Sequence, residues 1–169
     1  DYRAQFVLMM IYTGVRPQEF VKIETKNVHL DEDYFIGGLK TSAGRDRIIP
    51  IHSKVKKFFE LNYHPEKQYL IMKSNFKKLT YRDRHDNFSY ALFINTVWTP
   101  YMAEIGMDHL GHDPRHTFAT LMDKAKVPDN IIKLIMGHEQ TDKNGKRDVT
   151  NAVYIHKTIE DLKEEIEKI

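Results

Sequence analysis

The chain has 169 residues, 41% of them hydrophobic and 30% charged, with a formal net charge of +2, which suits one domain with a sizeable core and not a disordered tail. Zero cysteines exclude a disulfide framework, a thiol nucleophile and any cysteine-based zinc site. The longest apolar run, Phe6 to Tyr12, is far too short to span a bilayer, and no basic leader with a cleavage site opens the sequence, so a cytoplasmic protein is expected.

Residues 3–13 are apolar at nearly every position, as in a buried helix, with Gly14 as its stop. Pro17 suits the first turn of a second helix running to about Ile23, which places Arg16 at the junction and Glu19 in the first turn. Val28-His29-Leu30, Tyr34-Phe35-Ile36 and Arg47-Ile48-Ile49-Pro50-Ile51 are short and β-prone. Polar turns at 31–33 and 42–44 separate them, which predicts a three-stranded antiparallel sheet with Lys40 near its second turn. Ser53 to Leu61 reads as a helix, and Phe88 to Ile105 holds at least one more. The stretch His64 to Asn87 is polar, basic and without a clear period.

Helical signals return beyond Pro114, over Arg115 to Lys124 and then from Pro128 through Met136, with Gly137 as cap and His138 just past the end. A short helix is expected over Thr150 to Ile155. Thr158-Ile159-Glu160-Asp161 has the form of a capping box, opening a last helix whose stripe of Ile159, Leu162, Ile166 and Ile169 must dock somewhere. That helix is acidic: Glu160, Asp161, Glu164, Glu165 and Glu167 face only Lys163 and Lys168, so the rest of the chain is more basic than the total suggests. Such a surface permits nucleic-acid binding and equally describes a solvated face.

Arg16 or Arg115 alone reads as a surface arginine. Together they are a pair of planar guanidiniums able to hold the non-bridging oxygens of a phosphate bidentately. His109, His112 and His116 have a spacing that could suggest metal ligands, but Pro114 interrupts any helix across them and no cysteine or carboxylate motif completes a zinc shell. His138 after a helix end can act simply as a cationic cap. Tyr154 is one of nine tyrosines, and only its frame, Thr150-x-x-x-Tyr154-x-His156, singles it out.

In order and context these segments resemble the tyrosine recombinase (phage integrase) family: Thr13-Gly14-Val15-Arg16-Pro17-Gln18-Glu19, Gly37-Gly38-Leu39-Lys40-Thr41, His112-Asp113-Pro114-Arg115-His116, Met136-Gly137-His138 and Asp148-Val149-Thr150-Asn151-Ala152-Val153-Tyr154. Two departures stand out. Pro114 occupies a position where the family most often has leucine, and the stretch from His138 to Tyr154 is longer than usual, with residues 142–147 resembling a loop insertion.

The resemblance implies an α+β, mainly α-helical fold, a helical catalytic domain with a small three-stranded antiparallel sheet. It also implies that residues 1–169 form one such domain, with the family's N-terminal core-binding domain absent. The motif combination looks most like integrases of phages or conjugative transposons, acting in the cytoplasm of a bacterial cell or phage-infected host.

The chemistry implied is site-specific DNA recombination. Tyr154 attacks a phosphodiester, leaving a 3′-phosphotyrosyl link; Arg16, Arg115 and His138 stabilise the phosphorane. His112 accepts the tyrosine proton and Lys40 protonates the leaving 5′-oxygen, with Arg45 and Arg47 as competitors for that last role. No metal and no cofactor is implied. The implied partner is double-stranded DNA bearing attachment sites, with a homotetramer on DNA and a monomer when free. His116 is expected to support the site or to pack. Two rivals are DNA relaxation of the type IB topoisomerase kind, which shares the chemistry, and a non-catalytic DNA-binding module.

Overall fold

The computed structural model describes residues 1–38, 46–75, 86–138 and 158–169. Lys40, Arg45, Tyr154 and the expected helix over 150–155 lie outside the described residues.

Helix α1 (Tyr2–Thr13) starts at an Asp1 side-chain cap and stops at Gly14, whose φ of 64° is the left-handed turn that favours glycine. A Cβ on Gly14 would sit 2.4 Å from Phe118 Cδ1, so the α1 stop is also the point where the chain presses against a distant helix. Helix α2 (Pro17–Phe20) is shorter than its apolar spacing predicts, ending at Phe20 rather than near Ile23. Beyond it the backbone pairs elsewhere: Leu70 N–H donates to the Ile23 carbonyl at 2.9 Å and Thr25 N–H to Gln68 at 3.0 Å. The unassigned stretch from His64 thus supplies an extended segment, with Leu70 and Ile71 fully buried.

Strands β1 (Val28–His29), β2 (Tyr34–Gly37) and β3 (Arg47–Pro50) form the antiparallel sheet in that order. Phe35 opposes Ile49 and Gly37 opposes Arg47. Helix α3 (Ser53–Asn62) follows, capped by the His52 side chain. Helices α4 (Tyr90–Phe93) and α5 (Thr99–Glu104) are joined through a π-turn at Ile94–Trp98. Pro100 lacks the N–H needed to continue the α ladder, which accounts for the bulge just before it. Edge-to-face contacts tie α1, α2 and α4 together: Phe6–Phe20 at 5.5 Å and Phe20–Phe93 at 5.9 Å between ring centroids.

Helix α6 (Asp113–Lys124) begins two residues earlier than expected, because Pro114 takes the first turn, where its missing N–H costs nothing. Helix α7 (Asp129–Met136) ends at Gly137, φ 68°. Helix α8 (Ile159–Ile166) opens with the expected reciprocal cap: Asp161 N–H donates to Thr158 Oγ1 and Thr158 N–H to Asp161 Oδ2. It docks within its own chain against α7 and β3, burying Leu162 and Ile166.

Candidate active site

The α1–α2 junction leaves Arg16 in an extended conformation just before Pro17, with its side chain about a quarter exposed. One turn on, Glu19 folds back over it. Its carboxylate accepts the Arg16 backbone N–H at 3.0 Å and Arg16 Nη1 at 3.1 Å. From β3, Arg47 reaches the same carboxylate with both terminal nitrogens, Nη2 to Oε2 at 3.0 Å and Nη1 to Oε1 at 3.3 Å. Glu19 and Arg47 are both buried. Burial alone would lift the Glu19 carboxyl. The bonds and charge of Arg47, then those of Arg16, outweigh it and hold the group below its ordinary value.

The second half of the cluster forms at the end of α7. A helix leaves its last carbonyls without internal partners, and the Gly137 turn aims them into the protein. Arg47 Nε caps the Ile135 carbonyl at 2.7 Å, and Arg115 Nη2 caps that of Met136 at 2.7 Å. Arg115 Nη1 reaches the Gly14 carbonyl at 2.6 Å. Two cations at a helix C-terminus also suit its dipole.

Arg115 is only 5% exposed. Desolvation, then the charge of Arg16, lowers its guanidinium to about 10, so it stays protonated at neutral pH. The imidazoles of His112 and His138 sit at the accessible mouth. His112 precedes α6, and His138 follows Gly137, its N–H bonded to Lys133 at 2.9 Å. Both rings titrate below the ordinary histidine value: His112 through partial desolvation, then His116, Arg115 and Arg16; His138 through partial desolvation, then Arg115, Arg16 and Arg47. Both are therefore neutral at pH 7, able to accept a proton or donate a hydrogen bond.

The fold therefore brings Arg16, His112, Arg115 and His138 together from three separated stretches of chain. His116, expected to support or pack, is solvent-exposed. His109 braces the approach to α6, its Nδ1 3.0 Å from Asp113 Oδ2 while its carbonyl accepts Trp98 Nε1 at 2.8 Å. Arg47, named beside Lys40 and Arg45 for the last proton transfer, has its guanidinium on Glu19 and the Ile135 carbonyl. Sequence reasoning missed this buried pairing; its only local sign was an arginine at the head of an otherwise apolar strand. A cleft of about 360 Å³ beside the sheet is lined by Glu19, Lys22, Gly38 and Tyr69, but by none of Arg16, His112, Arg115 or His138.

A family profile described as the phage integrase family matches residues 2–158. The chain belongs to that family. Among curated proteins, the integrase domain is similar to tyrosine recombinase XerA of Pyrococcus horikoshii, 27% identical over 174 residues, covering 99% of this chain and 55% of that protein. XerA of Pyrococcus furiosus is 24% identical, with 98% and 54% covered. The chain thus spans about half the length of these relatives.

Among solved structures, an integrase from mycobacterium phage Brujita superposes with a TM-score of 0.71 at 18% identity, over 99% of this chain and 51% of that one. The Tn1549 transposon integrase, solved in complex with circular intermediate DNA, gives 0.61 at 18% identity, over 98% and 57%. At such identities these structures bear on the fold, a mostly helical domain with a small three-stranded sheet.

Proposed function

We propose that this chain is the strand-cleaving part of a site-specific tyrosine recombinase, acting on double-stranded DNA through a 3′-phosphotyrosyl intermediate without metal or cofactor. One observation carries the reading. Among the described residues, Arg16 and Arg47 bond the carboxylate of Glu19, whose charge Arg115 also feels, and Arg115 is bonded only to backbone carbonyls. A buried excess of positive charge is costly unless an anion completes it. A phosphodiester approaching the open mouth supplies that anion.

In this reading Arg16, Arg115 and His138 bind the non-bridging oxygens, which gain charge as the phosphorane forms. Tyr154 supplies the attacking oxygen. Neutral His112 accepts its proton as the new P–O bond forms, the P–O5′ bond breaks, and Lys40 protonates the departing oxygen. Attack by another 5′-hydroxyl reverses the steps and releases Tyr154. The roles of Tyr154 and Lys40 rest on the family motif, as do assembly into a homotetramer on DNA and a monomeric free state. Assignment to a phage or conjugative transposon rests on the motif combination alone; the fold is shared with phage and transposon integrases and with XerA, and the sequence relatives are archaeal XerA proteins.

The test is covalent trapping on nicked suicide duplexes from the ends of the encoding element, in EDTA, with Tyr154→Phe alongside. A denaturation-resistant adduct that vanishes in the variant is expected. An adduct that survives Tyr154→Phe overturns the choice of nucleophile. Bound DNA without any adduct, even with a family core-binding domain supplied, favours a binding module.

A further inference from the structure

Arg47 belongs to no motif used above, yet it joins the two halves of the cluster. It leaves β3 opposite Gly37 and is buried along its length. Its Nη atoms hold both oxygens of Glu19, and Glu19 holds Arg16 twice, by backbone and by side chain. Its Nε holds the Ile135 carbonyl, three residues before His138. Arg115 runs a parallel brace from Gly14 to Met136, so each end of the α1–α2 junction is tied to the last turn of α7. The Arg115 brace alone fixes one point at each end and leaves rotation free. The second brace, through Glu19, removes that freedom.

We propose that Arg47 is a positioning residue: through Glu19 it fixes the Arg16 guanidinium, and through the Ile135 carbonyl it fixes the turn carrying His138, so that two phosphate-binding groups on separate elements keep one spacing. This rests on the recombinase reading for what the spacing serves, but the spacing itself can be measured without any reaction. A planar guanidinium suits the role because its three nitrogens address two carboxylate oxygens and a carbonyl lying in different directions. An ammonium supplies the charge without the fork.

Among the described residues, the groups facing Glu19 are Arg16 from the junction, Arg47 from β3 and the charge of Arg115 from α6, with Lys22, Glu24 and Asp46 along the neighbouring cleft. Without Arg47, the burial of Glu19 loses its main counterweight and the carboxyl titrates at higher pH. Its protonation then releases Arg16, which gives cleavage an acid limb that depends on Glu19.

The variants are Arg47→Lys, Arg47→Met and the neutral pair Glu19→Gln/Arg47→Met, which leaves neither partner of the buried pair charged and so keeps the fold accessible. At a temperature where circular dichroism shows each folded, Arg47→Lys is expected to lower single-turnover cleavage about 100-fold, the loss associated with a misplacement of about 1 Å. DNA affinity should change far less. Arg47→Met should show this Glu19-dependent limb in addition to the one set by His112, and the neutral pair should keep the His112 limb alone.

NMR supplies the readout that needs no cleavage: the Arg16 side-chain Nε–Hε and His138 ring resonances should move and broaden in Arg47→Lys and in the neutral pair. Unchanged resonances in folded variants overturn the proposal, as does a folded Arg47→Lys that cleaves at the wild-type rate. If wild type forms no Tyr154-dependent adduct, the recombinase reading fails, while the resonances still decide the role of Arg47.

Discussion

The two buried arginines are held in opposite ways. Arg47 faces a carboxylate, so its charge is largely neutralised within the protein. Arg115 is equally buried, but its acceptors are the carbonyls of Gly14 and Met136, which satisfy donors without cancelling charge. A guanidinium kept for stability alone would do better beside a carboxylate, as Arg47 does. The side of the cluster near Glu19 is therefore paired within the protein, while on the side near Gly14 and Met136 the cation has no carboxylate bonded to it among the described residues; in the proposed function it is this side that waits for the phosphate. The accessible imidazoles of His112 and His138 flank the waiting side.

The largest effect should come from breaking the paired side. Glu19→Ala leaves Arg47 buried without its counter-charge, and loss of one partner of a buried pair costs about 3–5 kcal/mol. Denaturant unfolding should show that loss, with a fall in Tm of about 10 °C. The same pair sets a pH dependence. Because the folded-state carboxyl of Glu19 lies below its unfolded value, its contribution is complete above the ordinary carboxylate range and is lost as pH falls through the folded value. Wild type should thus lose stability on acidification more steeply than Glu19→Ala. Parallel pH curves would mean that the pair is not intact in solution.

Breaking the waiting side should have the reverse profile. Arg115→Gln loses bonds to Gly14 and Met136 but relieves a desolvated cation, so stability should change by less than about 1.5 kcal/mol. Trapped cleavage, in contrast, should fall about 100- to 1000-fold, the usual loss for one donor to a developing oxyanion. Inorganic phosphate offers a simpler probe. At ten times its Kd a ligand adds about 1.4 kcal/mol, or about 3–6 °C in Tm for a domain of this size. That shift should be present in wild type and largely absent in Arg115→Gln. Equal shifts in both would show that the anion binds elsewhere.

The difference between the two sides also marks what the sequence could reveal. The helix stops at Gly14 and Gly137, the Pro17 and Pro114 starts, the Thr158–Asp161 cap and the three strands are local events, written in residues a few positions apart. Arg16, His112, Arg115 and His138 were singled out through the family resemblance, and their places at helix ends followed because each sits beside one of those local signals. The Glu19–Arg47 pair was hidden because its partners are 28 positions apart and nothing within either segment points to the other. The end of α2 was misjudged for a similar reason: Val21-Lys22-Ile23 continues a helical spacing, but a distant segment containing Gln68 and Leu70 captures the backbone there. Long-range pairing overrides local period in both places.

The smallest expected effect concerns the flank. His116 is exposed and touches none of the cluster arginines among the described residues, yet after partial desolvation its charge is the next cause holding His112 down, ahead of Arg115 and Arg16. Replacing it with glutamine removes that repulsion and should raise the His112 titration toward the ordinary histidine value, visible as a shifted midpoint for the ring protons in NMR. The sign matters for chemistry. In the proposed mechanism His112 must be unprotonated to accept the Tyr154 proton, so a higher His112 value places more of the protein in the inactive, protonated form on the acid side. His116→Gln should therefore move the acid limb of cleavage to higher pH while leaving the rate on the alkaline plateau unchanged. Arg115→Gln also lifts His112, but it lowers the plateau as well. The plateau thus separates a residue that only tunes the base from one that binds the reacting phosphate.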